Sequence, residues 1–256
     1  MAFLEPFLLS EMTWYEVNQA LKETDIAILP TGSIEQHGLH MPLNNDTYSA
    51  HEICVLVAKK MAGMKRVIVC PAIPFGLSRH HMPFPGTITL QTQTYINLVK
   101  DVCESLIQHG FRKILIFNSH GGNTSALQAV ITDLRIDTDA LLYVANWWNL
   151  GAATITKVCG KPVYHSEESE TSLALALNQR VEMDRAKDEI PETESAFIKY
   201  DVCSVMEISH ASPNFDTLTK SGTIGYATKA TKEKGQAFLD DVVNKMCLFI
   251  EDIKDI

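Results

Sequence analysis

Four short apolar runs, set between stretches of helical periodicity, limit what this chain can fold into. They lie at Asp25–Pro30, Arg66–Cys70, Lys113–Phe117 and Ala140–Ala145, and each is apolar almost throughout rather than alternating with polar residues. A strand with no polar face is buried on both sides. The spacing between the runs predicts helices from Ser10 to about Lys22 with Ser10 as N-cap, over Tyr48–Met61, over Thr94–His109 with Gly110 as C-cap, and over Asn123–Leu134. Further helices are predicted over Glu170–Asn178 and Gln236–Ile253. Strand and helix in this rhythm predict an α/β chain with a mainly parallel sheet covered on both faces. No repeat or linker interrupts residues 1–256, and one domain is expected. Arg185–Glu194, the most polar stretch, reads as a surface excursion.

In such sheets ligands bind beyond the carboxyl ends of the strands, and the polar clusters of this sequence fall there. The first run leads into Leu29–Asp46, LPTGSIEQHGLHMPLNND, with Glu35, His37 and Asp46; the second leads into GLSRHHMPFPGT with Ser78 and His81. The third opens into NSHGGN, with His120 followed by Gly121 and Gly122. The fourth precedes Asn146-Trp147-Trp148-Asn149 and later HSEESETS, with His165, Glu168 and Glu170. Residues two apart in extended backbone point the same way, so Glu35 and His37 can aim a carboxylate and an imidazole at one place. The alternative is a set of solvated loops in which Glu167, Glu168 and Glu170 complement a helix start, Asn118 and Asn123 satisfy turns, and the two tryptophans belong to the core. Glu35, His37, Asp46, His120 and one of Glu168 or Glu170 form a ligand set for two divalent metals, and mixed imidazole and carboxylate donors suit zinc, manganese or iron better than calcium. Gly121 and Gly122 allow close approach of the backbone to a ligand.

Charge and cysteine usage narrow the partners. A net charge of −9, from 22 basic and 31 acidic residues, lacks the positive footprint that nucleic acid or an anionic membrane requires, so a small-molecule partner is expected. The six cysteines form no CxxC pair, which suits reduced thiols in a cytoplasmic protein. The N-terminus lacks the basic start of a signal peptide, and no apolar run reaches the roughly 18 residues of a spanning helix.

Taken together, PTGSIEQHGLHMPLNNDT, GLSRHHMPFPGT, NSHGGN, HSEESETS and SGTIGYATKATKEKG closely resemble the creatininase (creatinine amidohydrolase) family, in order and over almost the whole chain. The resemblance implies a three-layer α/β/α fold, a dinuclear centre of zinc or manganese, with iron in some members, and hydrolysis of carbon–nitrogen bonds other than peptide bonds. It also implies a homohexamer. By matching position, Glu35, His37, Asp46 and His120 are the implied ligands, with Asp46 bridging, and Glu170 of the ETS motif is the fifth. Glu168 stands as its substitute and, with His165, as a candidate catalytic group. Ser78, His81, Gly121 and Trp148 are the candidate substrate contacts. Members that hydrolyse creatinine carry an aromatic residue and a ligating glutamate where this chain has Gly121 and Gly122, and a Trp-Asp pair near Lys161-Pro162. Creatinine itself is therefore not the expected substrate. Other branches act on formamides, a peptide-derived precursor or a cyclic diketone. A reading of another class is a non-catalytic assembly protein with a closed metal site.

Overall fold

The computed structural model describes residues 7–192, 197, 201–203 and 211–256. His210, Glu194 and the first six residues lie outside them. In chain order the elements are α1 (Trp14–Ala20), β1 (Ile26–Thr31), α2 (Asn45–Met61), β2 (Ile68–Val69), α3 (Thr92–His109), β3 (Lys113–Asn118), α4 (Thr124–Asp137) and β4 (Leu141–Asn146). They continue with α5 (Trp147–Val158), α6 (Glu168–Ala176), β5 (Asp188–Glu189), β6 (Gly225–Tyr226) and α7 (Lys232–Ile253). Strands β2-β1-β3-β4 pair in that order, all parallel, while β5 and β6 form a separate antiparallel pair.

Alternation along the buried strands builds the three layers. Ile26 and Ile28 of β1, with Leu115 and Phe117 of β3, pack against α2, α5, α6 and α7. Their neighbours Ala27, Leu29, Ile114 and Ile116 face the other way, against α1, α3 and α4. Both faces are therefore apolar, as the unbroken runs require. From β1 the chain crosses through α2 to β2 on one side, then through α3 to β3 on the other. The switch point thus falls between the carboxyl ends of β1 and β3, where an open α/β sheet leaves a crevice.

Several boundaries differ from the sequence reading for local reasons. The first helix starts after Thr13, not Ser10: Thr13 Oγ1 accepts Glu16 N–H at 3.3 Å and the Glu16 carboxylate accepts Thr13 N–H at 2.6 Å, a reciprocal capping box. Ser10 lies in a short 3₁₀ turn, Leu9–Glu11. α2 begins at Asn45, three residues before Tyr48, so Asp46 is carried on a helical turn rather than in a loop. α6 begins at Glu168, where the Glu167 carboxylate accepts Ser169 N–H at 2.7 Å. α5 was not expected, because its apolar start continues directly from β4 without a turn signal. No helix among the described residues is long and apolar enough to cross a membrane.

Gly235 fixes how α7 meets α6. A Cβ at this position would overlap the carbonyl of Ser172, a backbone group that cannot rotate away. Alanine raises helix propensity by about 1 kcal/mol over glycine, yet Gly235→Ala is expected to destabilise the protein by about 3 kcal/mol in a denaturant titration through overpacking. A neutral or stabilising result would show that the helices do not meet at this point.

Candidate metal centre

Backbone geometry beyond β1 and β3 gathers the polar residues. After Thr31 the chain turns through Gly32, which lies so close to the start of α2 that a Cβ would stand 2.6 Å from Thr47 Cα. This approach brings Asp46 beside the Glu35–His37 segment. Thr31, Asn118 and Asn146 are register partners at the ends of β1, β3 and β4. Thr31 Oγ1 donates to Asn118 Oδ1 at 3.2 Å, and Asn118 Nδ2 donates to Asn146 Oδ1 and to the His120 carbonyl, both at 2.8 Å. The asparagines are thus the frame on which His120 is mounted.

Three imidazoles are oriented alike. His37 Nδ1–H donates to the Glu35 carbonyl at 3.1 Å, His120 Nε2–H to the Leu77 carbonyl at 3.2 Å, and His165 Nε2–H to the Gln36 carbonyl at 2.9 Å. A carbonyl only accepts, so in each neutral ring the lone pair lies on the other nitrogen, and all three lone pairs face carboxylates. His37 Nε2 is 2.9 Å from Asp46 Oδ1 and 3.8 Å from Glu170 Oε2. His120 Nδ1 is 3.2 Å from Glu35 Oε2 and 3.3 Å from Asp46 Oδ2. His165 Nδ1 is 3.8 Å from Glu35 Oε1 and 3.9 Å from Glu170 Oε2. Glu35 Oε2 and Asp46 Oδ2 are buried without a hydrogen-bond partner.

Lone pairs aimed at buried carboxylates repel unless a cation or a proton lies between them, and outward ring N–H groups bonded to carbonyls are the usual support of metal-binding histidines. Three groups place their ligand atoms within 4.8 Å of one another: Glu35-His37-His165, and two triads, Glu35-Asp46-His120 and His37-Asp46-Glu170, that share Asp46, whose two oxygens face His37 and His120 respectively. These residues fit divalent metal. Without it, protons take the role. Burial opposes the charged form of His37, but Asp46, Glu170 and Glu35 outweigh it and raise the imidazole to about 10. His120 is raised in the same way by Glu35 and Asp46. Burial, with Asp46 and Glu167 nearby, pushes Glu170 up to about 8 despite His37. His165 behaves oppositely: burial and the neighbouring His37 lower it to about 3, so it is neutral.

A cavity of about 240 Å³ opens onto the cluster, lined by Glu35, Asp46, His120, His165 and Glu170 together with His80, His81, Gly121, Tyr164 and Phe215. Phe215 forms its aromatic wall, 4.1 Å from the His81 ring and 5.0 Å from that of His165, and stacks on Tyr164. Tyr164 and Phe215 carry no sequence signal of their own; Tyr164 adjoins a motif histidine and Phe215 lies in an unremarkable polar stretch.

Of the residues singled out in the sequence, Glu35, His37, Asp46, His120, His165 and Glu170 come together, and His81 and Gly121 line the cavity. Three do not join them. Ser78 is fully buried behind His120, 3.2 Å from its Nε2 and hydrogen-bonded to Ser33, so it supports the ring from the side away from the cavity. Trp148, packed with Trp147 at the start of α5, lines a smaller neighbouring hollow rather than the main cavity. Glu168 points away: Lys234 Nζ and Gly160 N–H both donate to its carboxylate, the latter at 2.6 Å, which accounts for both oxygens. Two positions along the helix, rather more than half a turn, separate a carboxylate inside the cluster from one tied to α7.

The creatininase (creatinine amidohydrolase) family profile matches residues 10–250 of this chain. The chain is a creatininase-family hydrolase. A creatinine amidohydrolase of Pseudomonas putida is 29% identical over 90% of each chain. A mycofactocin precursor peptide peptidase of Mycobacterium tuberculosis is 28% identical, over 86% of this chain and 83% of its own length. A 3-dehydro-scyllo-inosose hydrolase of Thermotoga maritima is 30% identical over 65% of this chain and 54% of the relative. Among solved structures, a manganese form of creatininase superposes with a TM-score of 0.80 at 27% identity, covering 97% of this chain and 98% of that one. A Zn-Zn form of a creatininase mutant gives 0.78 at 26% identity with the same coverage.

Proposed function

We propose that the two triads hold a pair of divalent metal ions, zinc or manganese with iron as a further fit, and that the protein hydrolyses an amide-type bond in a small molecule other than creatinine. The observation that carries this is the division of Asp46, with Oδ1 toward His37 and Oδ2 toward His120, which would let one carboxylate serve two ions. When bound, such a pair polarises a carbonyl and supplies a nucleophile at neutral pH. His165, with Nδ1 toward the cluster, is placed to take up the proton that the attacking nucleophile releases and to return it to the leaving group. Phe215, Tyr164 and His80 form one wall of the cavity, whose volume suits a compact molecule or the end of a longer one.

Creatinine is set aside by the glycines. A side chain at Gly122 would overlap the Leu77 carbonyl and approach His120 Nε2 to 2.5 Å, which supports Glu170 as the carboxylate that would complete the set. The relatives divide among amide, peptide and inosose substrates, and a deformylase of Methanococcus maripaludis adds a formamide. Screening therefore spans cyclic amides, formamides and cyclic diketones. The test is elemental analysis of protein purified without chelator, beside a Glu35→Ala, His120→Ala variant. Near two transition metals per chain in the wild type, with a large loss in the variant, is expected. Absence of metal from both, even after zinc or manganese is supplied, overturns the proposal.

A further inference from the structure

We propose that Gln36, which no motif chemistry above employs, is the positioning residue that sets the ring tautomers of His81 and His165. The inference comes from counting hydrogens around one buried amide. Gly38 N–H can only donate, and it lies 2.9 Å from Gln36 Oε1, so Nε2 is the donating end. Nε2 has two hydrogens and three neighbours: the Gly222 carbonyl at 3.1 Å, His81 Nδ1 at 2.9 Å and His165 Nε2 at 3.0 Å. The Gly222 carbonyl takes one hydrogen. His165 Nε2 cannot take the other, because it already donates its own proton to the Gln36 backbone carbonyl. The second hydrogen goes to His81 Nδ1, which must then bear a lone pair, so His81 is protonated on Nε2 and presents that N–H toward Glu35 Oε1, 3.4 Å away. One glutamine therefore turns a donor toward Glu35 through His81, and its own carbonyl turns the His165 lone pair toward the cluster.

This gives a role to the SGTIGYATKATKEKG motif. Gly222, at φ +92°, lies so close that any side chain would overlap Gln36 Oε1. Its loop is held in turn by Glu189, which accepts Lys220 N–H at 2.7 Å and bonds Thr219. Ile224 exchanges backbone hydrogen bonds with His165 itself. The C-terminal loop thus clamps the amide that orients the site.

The kinetic consequence rests on the hydrolase reading; the tautomers do not. Long-range ¹H–¹⁵N spectra of the zinc-loaded protein, with His81→Asn used for assignment, should show His81 and His165 both protonated on Nε2. In Gln36→Glu the His81 tautomer should invert, since a carboxylate only accepts; in Gln36→Met it should become mixed. Both variants should keep wild-type metal content and lose about 10- to 100-fold in kcat with little change in KM. Wild-type His81 protonated on Nδ1, or a Gln36→Glu spectrum like that of the wild type, overturns the proposal, and the wild-type spectrum decides even if a variant fails to fold. Tautomers as assigned in a protein that hydrolyses nothing would instead count against the hydrolase reading.

Discussion

Asp46→Ala is expected to lower the metal content from near two per chain to below one and to reduce hydrolysis by at least about 10³-fold. The size follows from its position. Losing a partner one layer out from a metal costs 10- to 100-fold in affinity or activity, whereas Asp46 belongs to both triads and its two oxygens face two different histidines. No neighbour offers a carboxylate divided in the same way: Glu170 belongs to one group only, Glu35 lacks a position beside Glu170, and Glu168 is held by Lys234 and Gly160. The contrast with Glu168→Gln makes the experiment discriminating. That substitution is expected to leave metal content unchanged and to lower thermal stability, because it removes the negative charge of the buried Glu168 that pairs with Lys234 Nζ. If Asp46→Ala kept two metals, or Glu168→Gln released one, the ligand set drawn here would be wrong.

How much of this was legible in the sequence depended on whether a residue's role is local. The strands were readable because double-sided burial leaves an unbroken apolar run, and Gly110 was readable as a C-cap because its φ of +111° favours glycine. The cluster itself was readable because histidines and acids crowd a strand end only at some cost unless they act there. Glu168 and Glu170 could not be separated by pattern alone, since which carboxylate enters the cluster depends on the angle at which α6 leaves Glu167 and on Lys234 arriving from α7. Ser78 parts from its motif neighbour for a similar reason: His81 lines the cavity, but the serine, just before the 3₁₀ turn Arg79–His81, lies behind His120. Phe215 and Gln36 escaped notice because an aromatic wall and a hydrogen-counting amide are defined only by what surrounds them.

Metal binding should tighten steeply with pH, by roughly a hundredfold per unit between about pH 6 and pH 8, because at least two protons must leave as the ions enter. In the metal-free protein the His37 imidazole stands at about 10, above its ordinary 6.5, so the stability it contributes is complete below 6.5 and is lost as pH rises through 10. The Glu170 carboxyl, raised from 4.5 to about 8, has the same sign: it favours the fold below 4.5, and that contribution is lost as pH rises through 8. The metal-free fold therefore weakens in alkali as these protons leave and the carboxylates face one another unshielded. Divalent ions reverse this, since they occupy the positions the protons vacate. The rise in Tm on adding zinc or manganese should be small at pH 6 and should grow with every step toward pH 8, with the metal-free Tm moving the opposite way. A metal-induced rise in Tm that is the same at every pH would mean that neither His37 nor Glu170 yields a proton on binding, and would place the ions somewhere other than between these side chains.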